Sequence, residues 1–190
     1  MKQVTFVCCP KPFLPEFEIV QTNALLSWKN LKITKNVVVT GNDAGVKEFC
    51  EKHNLIHEPN VEVNEWNTPL ISSIFDLGYK HVDDDEPICY VNSDIILTDD
   101  FSDSVNAIFD NCKNDTYLIV GQRYDCPEIV EIDFNDVEWQ DNIVKHAIGC
   151  GELHSICGVD YFLHTKKTNL NIYPWAVGKL HYDRWFIYEA

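Results

Sequence analysis

The sequence has no apolar run long enough to span a membrane, and it is poor in basic side chains. It carries 15 Lys and Arg residues against 30 Asp and Glu residues, which gives a formal net charge of -15. A surface with this excess of carboxylates repels nucleic-acid backbones and anionic membranes. A small anionic ligand remains compatible with it if a metal ion or local basic groups offset the ligand's charge. We therefore expect no nucleic-acid partner and no transmembrane segment.

A secretion signal and a complete zinc motif are also missing. The apolar run at residues 4–9 is too short for a signal peptide. Cys150, His154 and Cys157 have the spacing of half a zinc site, but the second half would have to come from Cys50 and His53 by chance of folding. We expect a cytoplasmic protein whose eight cysteines are reduced and pack mainly as small apolar residues.

Strands and helices alternate along most of the chain. Apolar runs predict strands at residues 4–9, 37–40, 61–63, 88–91 and 117–120, and helical spacing predicts helices at residues 16–28, 44–52, 69–77 and after Asp99 or Asp100. The remainder is less regular, with a predicted strand after Gly158 and a predicted helix from Tyr182. This alternation predicts a single α/β domain over residues 1–190, with a mostly parallel sheet and helices on both faces. Because the chain stops at Ala190 inside the last predicted helix, we expect it to be the N-terminal part of a longer protein.

Polar residues follow three of the predicted strands, at the edge of the sheet where ligands of such folds bind. They are Pro10-Lys11, residues 41–43 and residues 92–94. If strand alternation continues past Val91, Asn92 and Asp94 point the same way. An amide and a carboxylate there would suit a hard divalent cation that also binds phosphate oxygens. The alternative is a polar turn in which the aspartate makes only local hydrogen bonds.

The segment Asn92-Ser93-Asp94 resembles the DxD motif of GT-A fold nucleotide-sugar glycosyltransferases, with asparagine in place of the first aspartate. Further segments resemble this family in the same order along nearly the whole chain: Cys9-Pro10-Lys11-Pro12-Phe13, Gln21-Thr22-Asn23-Ala24-Leu25-x2-Trp28, Asn64-Glu65-x2-Thr68-Pro69-Leu70, Val120-Gly121-Gln122-Arg123, Gly158-Val159-Asp160-Tyr161-Phe162, and Pro174-Trp175-x7-Asp183-x-Trp185. The size is similar to that of compact glycosyltransferase domains of large algal viruses (chlorovirus type). The resemblance implies a GT-A-like sheet, with the donor and metal bound by residues 1–123 and the acceptor by residues 124–190.

The resemblance also implies which residues bind the nucleotide sugar. Pro10 and Lys11 would contact the base or ribose, and Asp43 the edge of the base. Asn92 would contact the metal, the ribose or a bound water, with Ser93 beside it, and Arg123 would hold a phosphate or a sugar hydroxyl through its planar fork of donors. From the residues alone, Asp43 is equally well a helix cap, Lys11 an ordinary solvated lysine, and Arg123 a surface ion pair.

The resemblance also implies which residues bind the metal and which act on the acceptor. Asp94 would hold Mn²⁺ or Mg²⁺, with His181 or His154 as a later ligand. Asp183 would be the base that deprotonates the acceptor hydroxyl, and Asp160 would bind sugar hydroxyls. Asp183 is otherwise the cap of the last helix, and a single late histidine such as His181 is otherwise structural.

The implied activity is metal-dependent transfer of a sugar from a nucleoside diphosphate, with uridine diphosphate as the expected carrier, to a glycan or another hydroxyl acceptor. If the protein is viral, the expected location is the host cytoplasm. A nucleotidyltransferase is a rival, but it would carry a glycine-rich basic loop after the first strand, which Pro10-Lys11-Pro12-Phe13 does not provide. A non-catalytic nucleotide- or sugar-binding domain is a second rival, because Asn92 weakens the metal motif.

Overall fold

A computed structural model describes residues 2–111, 116–128, 130–156, 158–179 and 182–190 of the 190-residue chain. Within these ranges the strands are β1 (Val4–Cys8), β2 (Thr34–Thr40), β3 (Ile56–Glu58), β4 (Ile88–Val91), β5 (Tyr124–Asp125), β6 (Glu152–Leu153) and β7 (Tyr161–His164). The helices are α1 (Pro15–Lys29), α2 (Val46–His53), α3 (Ile71–Tyr79), α4 (Asp99–Asn111), α5 (Trp139–Cys150) and α6 (Tyr182–Glu189), with a short 3₁₀ helix at Lys166–Thr168.

The central sheet has the strand order β3-β2-β1-β4-β7. The pairs β1–β2, β1–β4 and β2–β3 are parallel, and β7 alone runs antiparallel, beside β4. The predicted α/β fold with a mostly parallel sheet is confirmed. β5 and β6 form a separate antiparallel pair outside this sheet.

A hydrophobic core lies on each face of the sheet, because successive strand residues point to opposite faces. On one face, Val37 and Val39 pack with residues of α1, α2 and α4; on the other, Val38 and Ile88 pack with residues of α3 and α6. Gly78 lets α3 come close to the sheet, since a Cβ there would lie 2.9 Å from Cδ1 of Ile88. These layers leave the ends of the strands as the open part of the sheet.

Three of the predicted elements differ from the observed ones. The third strand is β3 at Ile56–Glu58, and the predicted strand at 61–63 is reduced to one bridge between Val63 and Pro69. The Asn64 side chain accepts hydrogen bonds from the amides of Trp66 and Thr68, so this stretch forms a local turn instead of a strand. α3 begins at Ile71 instead of Pro69, because Pro69 and Leu70 form bridges with Val63 and Ala176.

The predicted strand at 117–120 is likewise reduced to a single bridge, between Ile119 and Leu163. In the part of the chain that the structure describes, no helix is long and apolar enough to cross a membrane.

Candidate active site

The candidate site lies at the carboxyl ends of β1, β2 and β4. Parallel strands bring these ends to one edge, and the antiparallel β7 adds its first residues there, since Val91 pairs with Tyr161. The amide of Asn92 donates a hydrogen bond to the carbonyl of Asp160, at 2.9 Å. From β1 the chain continues to β2 on one side of β1, whereas β4 lies on the other side. Strand order therefore reverses between β1 and β4, and ligands of such sheets bind at this point of the edge.

Asn92, Ser93 and Asp94 form a turn and do not extend the strand. β4 ends at Val91, and the amide of Ile95 donates to the carbonyl of Asn92, at 3.1 Å. The expectation that Asn92 and Asp94 point the same way was therefore wrong, because strand alternation stops before them. Asp94 lines a cleft of about 800 Å³, the main cleft, which also contains Arg123 and residues of α5. Asn92 lines a separate pocket of about 310 Å³, the minor pocket, which also contains Asp183.

Helix α1 holds the turn in place through polar side chains on its buried face. The indole N–H of Trp28 donates to the carbonyl of Ile95 at 2.7 Å, and the hydroxyl of Ser27 accepts from the amide of Leu97 at 3.1 Å. Both α1 side chains are fully buried. The backbone after Asp94 is thus fixed by hydrogen bonds that water cannot easily replace.

Gln21 links the loop after β1 to the loop after β4. Its side-chain oxygen accepts from the amide of Lys11 at 2.7 Å, and its nitrogen donates to the carbonyl of Lys11 at 3.0 Å. The hydroxyl of Ser93 makes a longer contact of 3.4 Å with the same oxygen. Gln21 is 3% exposed, so a buried amide fixes the loop after β1 and lies next to Ser93 in the loop after β4.

Asp160 joins three elements at this edge. One of its carboxylate oxygens accepts from the side-chain amide of Asn92 at 2.9 Å, and the other is paired closely with the guanidinium of Arg123. The oxygen of Asn92 in turn lies within hydrogen-bond distance of the hydroxyls of Tyr90 (3.1 Å) and Tyr182 (3.4 Å). Because Asn92 makes these contacts within the protein, its observed role is to connect β4 to Asp160 and α6.

Arg123 lies between two carboxylates. Its Nε donates to Asp125 at 2.7 Å, in addition to the pair with Asp160. Asp125 also pairs with Nδ1 of His154 at 2.5 Å, and this partnership with His154 and Arg123 lowers the pKa of Asp125. The structure thus pairs Arg123 with Asp125 and Asp160, as in the alternative of an ion pair, and its predicted contact with a phosphate or a sugar hydroxyl stays a prediction. His154, the alternative metal ligand, is already bound to Asp125.

Asp94 is the residue to which the resemblance assigns the metal. Its side chain is solvent-accessible but lies within the main cleft, and none of the other described residues donates a hydrogen bond to its carboxylate. Partial desolvation raises its pKa, the Asp160 charge adds to the rise, and the charges of Arg123 and Lys11 oppose it. A carboxylate whose charged form is disfavoured gains stability when a cation approaches, so Asp94 fits the implied metal.

Protein ligands beyond Asp94 are not gathered at this point. Within the described ranges, no group of three or more His, Cys, Asp or Glu side chains is arranged to hold a metal ion. His181, the predicted second ligand, lies outside the described residues, as does Cys157 of the half zinc motif. A cation at Asp94 would therefore take further ligands from water or from substrate oxygens.

Two of the predicted nucleotide contacts, Lys11 and Asp43, are exposed at this edge, whereas Pro10 is buried. Lys11 is exposed, and its ammonium lies 4.5 Å from the ring centre of Phe17. Asp43 is exposed and is not a side-chain cap: α2 begins at Val46 after Gly45, and the Asp43 carbonyl accepts from the amide of Val46 at 3.1 Å. Gly45 has a φ of 83°, which an L side chain rarely adopts. The Asp43 carboxylate is therefore free of the predicted capping role.

Asp183 lies in the first turn of α6 and lines the minor pocket with Asn92, Asp160 and Lys179. One of its oxygens accepts a hydrogen bond from the adjacent Arg184 amide at 2.8 Å. Asp160 lines both the minor pocket and the main cleft. The two carboxylates predicted to act on the acceptor are thus brought to one pocket, next to the turn that carries Asp94.

The roles of Gln21, Asn23 and Ser27 were missed in the sequence. The α1 pattern was interpreted from its apolar residues, yet these three polar side chains are also buried. The side-chain nitrogen of Asn23 donates to the carbonyl of Val130 at 2.7 Å, and its side-chain oxygen accepts from the backbone amide of Ile132 at 3.1 Å. These two bonds connect a distant segment to α1. Asn23 and Ser27 are four residues apart on one face of α1, a signal that could have identified them, whereas Gln21 lies on another side of the helix and gives no such signal.

The cysteines in the described ranges are free thiols: Cys8, Cys9, Cys50, Cys89, Cys126 and Cys150. Cys8, Cys50 and Cys89 are buried, as expected for small apolar residues. Burial raises the pKa of Cys9 and of Cys50 to about 11, so neither is a reactive thiolate near neutral pH.

Comparison with known proteins supports the fold. No protein-family model matches the chain, and no curated protein matches it. The chain is similar to the structure of a cytidylyltransferase from Leptospira borgpetersenii serovar Hardjo-bovis (strain JB197), with a TM-score of 0.55 and 14% identity over 98% of this chain and 69% of that chain. It is also similar to 4-diphosphocytidyl-2C-methyl-D-erythritolsynthase from Anaerococcus prevotii DSM 20548, with a TM-score of 0.49 and 12% identity over 87% and 71% of the two chains.

At these identities the likeness shows the fold alone, an α/β fold similar to that of the cytidylyltransferase structure. It does not extend to the glycosyltransferase activity or to the viral source that the sequence resemblance implied, and both stay predictions.

Proposed function

We propose that the protein is a transferase that binds a nucleotide donor over the carboxyl ends of β1, β2 and β4 and moves a sugar from it to a hydroxyl acceptor. The observation that carries this proposal is the position of Asp94. Its carboxylate is accessible in the main cleft, while Asp160 connects that cleft to the minor pocket that contains Asp183. A donor held at Asp94 would then have an acceptor pocket and a second carboxylate beside it.

Each residue has a distinct task in this proposal. Asp94 would hold Mn²⁺ or Mg²⁺, which when bound offsets the charge that builds on the departing diphosphate. Lys11 and Asp43 would contact the nucleoside end of the donor from the loops after β1 and β2. Asp183 would take the proton from the acceptor hydroxyl while the hydroxyl oxygen forms a bond to the anomeric carbon and the nucleoside diphosphate leaves. Asp160 would accept hydrogen bonds from sugar hydroxyls while Arg123 balances its charge.

Nucleotidyl transfer is the second candidate, and the likeness to a cytidylyltransferase favours it. The segment after β1 favours sugar transfer instead. A nucleotidyltransferase needs backbone amides and basic side chains in this segment to bind a triphosphate. Here Phe13 packs on Phe49 with ring centres 4.4 Å apart, and the first turn of α1 carries Glu16 and Glu18. Lys11 is the single basic residue of the loop.

The two reactions leave different products, so one assay separates them. The protein is incubated with Mn²⁺ and either a panel of nucleoside diphosphate sugars with hydroxyl acceptors, or CTP and UTP with sugar phosphates. Release of the nucleoside diphosphate together with a glycosylated acceptor would support sugar transfer. Release of pyrophosphate with formation of a nucleotide sugar would instead establish nucleotidyl transfer. Nucleotide binding without either product would support the non-catalytic rival.

Matched variants connect the activity to the site. Asp94→Asn is expected to abolish metal-dependent nucleotide binding, and Asp183→Asn to spare donor binding while lowering turnover about 100-fold or more, the usual contribution of a general base. Asp85→Asn makes the same change on an exposed acidic loop and should leave both unchanged. Full turnover in Asp183→Asn would show that another group is the base.

A further inference from the structure

Helix α5 presents an apolar face that does not pack into either core. Ile143, Val144, Ala147 and Ile148 recur at the spacing that places side chains on one side of a helix. None of them is buried, and Trp139 is the only buried residue of α5. Ile148 is 67% exposed. A helix of a soluble domain normally packs such a face against the core, so this one is available for a ligand.

All four residues line the main cleft, together with Asp94 and Arg123. The cleft's volume of about 800 Å³ is within the range of sites that enclose a small organic molecule. One wall is therefore aliphatic, and the same cavity contains the carboxylate to which we assign the metal. A ligand that fills it must be amphiphilic.

The charge of the cleft limits which polar groups this ligand can carry. Five carboxylates line it, on Asp94, Asp100, Asp125, Glu128 and Asp160. Arg123 is the one arginine or lysine among the lining residues, and it already pairs with Asp125 and Asp160. An anionic head group that brings no cation would meet this excess of negative charge, unlike the donor diphosphate, whose charge the metal at Asp94 would offset. Hydroxyl groups suit it, because each can donate a hydrogen bond to a carboxylate oxygen.

We propose that the main cleft binds an uncharged acceptor with a hydroxyl-bearing head and an apolar alkyl or aryl group, the apolar group lying on the α5 face. This assignment rests on the proposed transferase function and specifies the class of its acceptor. The hydroxyl-bearing head lies at Asp160, which lines both cavities, so that its hydroxyl reaches the minor pocket and Asp183 while the donor is held at Asp94. The aliphatic face then contributes to affinity in proportion to the apolar surface that it covers.

The test measures how affinity depends on the length of the apolar group. Binding of methyl, butyl and hexyl glucoside is followed by ligand-observed NMR, below the concentrations at which micelles form and without donor or metal. Each methylene that becomes buried should tighten binding up to about fourfold. A flat series from methyl to hexyl would overturn the proposal.

Two pairs of matched variants locate the binding surface. Ile148→Asn and Val144→Asn change residues of the cleft, whereas Ile156→Asn and Val137→Asn make the same changes at exposed positions that do not line it. The first pair should lose the dependence on chain length, and the second pair should keep it. Equal dependence in both pairs would place the apolar ligand elsewhere and refute the assignment.

Two further measurements separate this proposal from its rivals and from the proposed function. A dimer that dissociates in Ile148→Asn would mean that a second copy of the chain covers the face, which overturns the proposal. Titration of UDP with Mn²⁺ reports on the nucleotide site independently of the glucosides. If UDP binds but the affinity for the glucosides does not depend on the length of the alkyl chain, only the acceptor assignment is refuted. A chain-length series that persists without binding of any nucleotide removes the transferase function and leaves an apolar ligand site.

Discussion

Replacing Gln21 with methionine tests whether one buried amide stabilises the loop after β1 at the candidate site. Methionine has a similar length and fills the same space, so the change removes hydrogen bonds without opening a cavity. Gln21 makes two bonds to the backbone of Lys11, at 2.7 and 3.0 Å, and the contact with Ser93 at 3.4 Å is too long to contribute much. At about 1 kcal/mol of net stability for each bond, Gln21→Met should destabilise the fold by about 2 kcal/mol.

Urea unfolding at neutral pH measures this loss, and Gln3→Met is the matched control. Gln3 is exposed, so its replacement should change the free energy of unfolding by less than about 0.5 kcal/mol. If Gln21 also positions the nucleotide loops, nucleotide affinity should fall in Gln21→Met while Gln3→Met binds normally. An unfolding free energy of Gln21→Met equal to that of the control would refute the argument that these hydrogen bonds stabilise the loop.

Further expectations concern packing, protonation and thiols. Gly78→Ala should lower stability in urea by about 1–3 kcal/mol, since the added Cβ would meet Ile88 at 2.9 Å. Burial lowers the pKa of His164 to about 4. Between about pH 6.5 and pH 4 the unfolded chain binds a proton at this histidine while the folded protein does not, so up to about 3 kcal/mol of the free energy of unfolding is lost as the pH falls. His164→Leu should make this pH dependence weaker. The raised Asp94 pKa penalises its charged form in the fold, so Asp94→Asn should be no less stable at pH 7, with any gain vanishing as acid protonates the carboxylate. Reducing agent should not lower the melting temperature, because the described cysteines are free; a large drop would reveal a disulfide.

The strands of the central sheet could be predicted when their burial determined their sequence. β1 and β4 are buried throughout, so their residues form continuous apolar runs that are visible without any structure. β3 has three residues and none is fully buried. Its position depends on pairing with β2 rather than on its own pattern, which explains why the adjacent Val61–Val63 run was taken for it.

The candidate site shows the same division. A polar segment at the edge of the sheet was predicted from a local pattern, because the buried strand β4 ends there; the metal-binding role of Asp94 was implied only by the resemblance and stays a prediction. The separation of Asn92 from Asp94 into two cavities was not predictable, since it depends on a turn closed between Asn92 and Ile95. The role of Gln21 was equally hidden, because its partners are set by the distance between two loops in space.

The sequence by itself determined the class of fold and the polar residues that follow the strands at one edge of the sheet, because alternation of apolar runs and helical spacing is a property of neighbouring residues. Only the tertiary structure decided that Asp160 reaches that edge. It does so because β7 runs antiparallel to β4 and thereby brings its first residues to the carboxyl end of its neighbour. The pairing of Asp160 with Arg123 and the apolar α5 wall of the main cleft depend likewise on contacts between segments far apart in the chain, which no local pattern encodes.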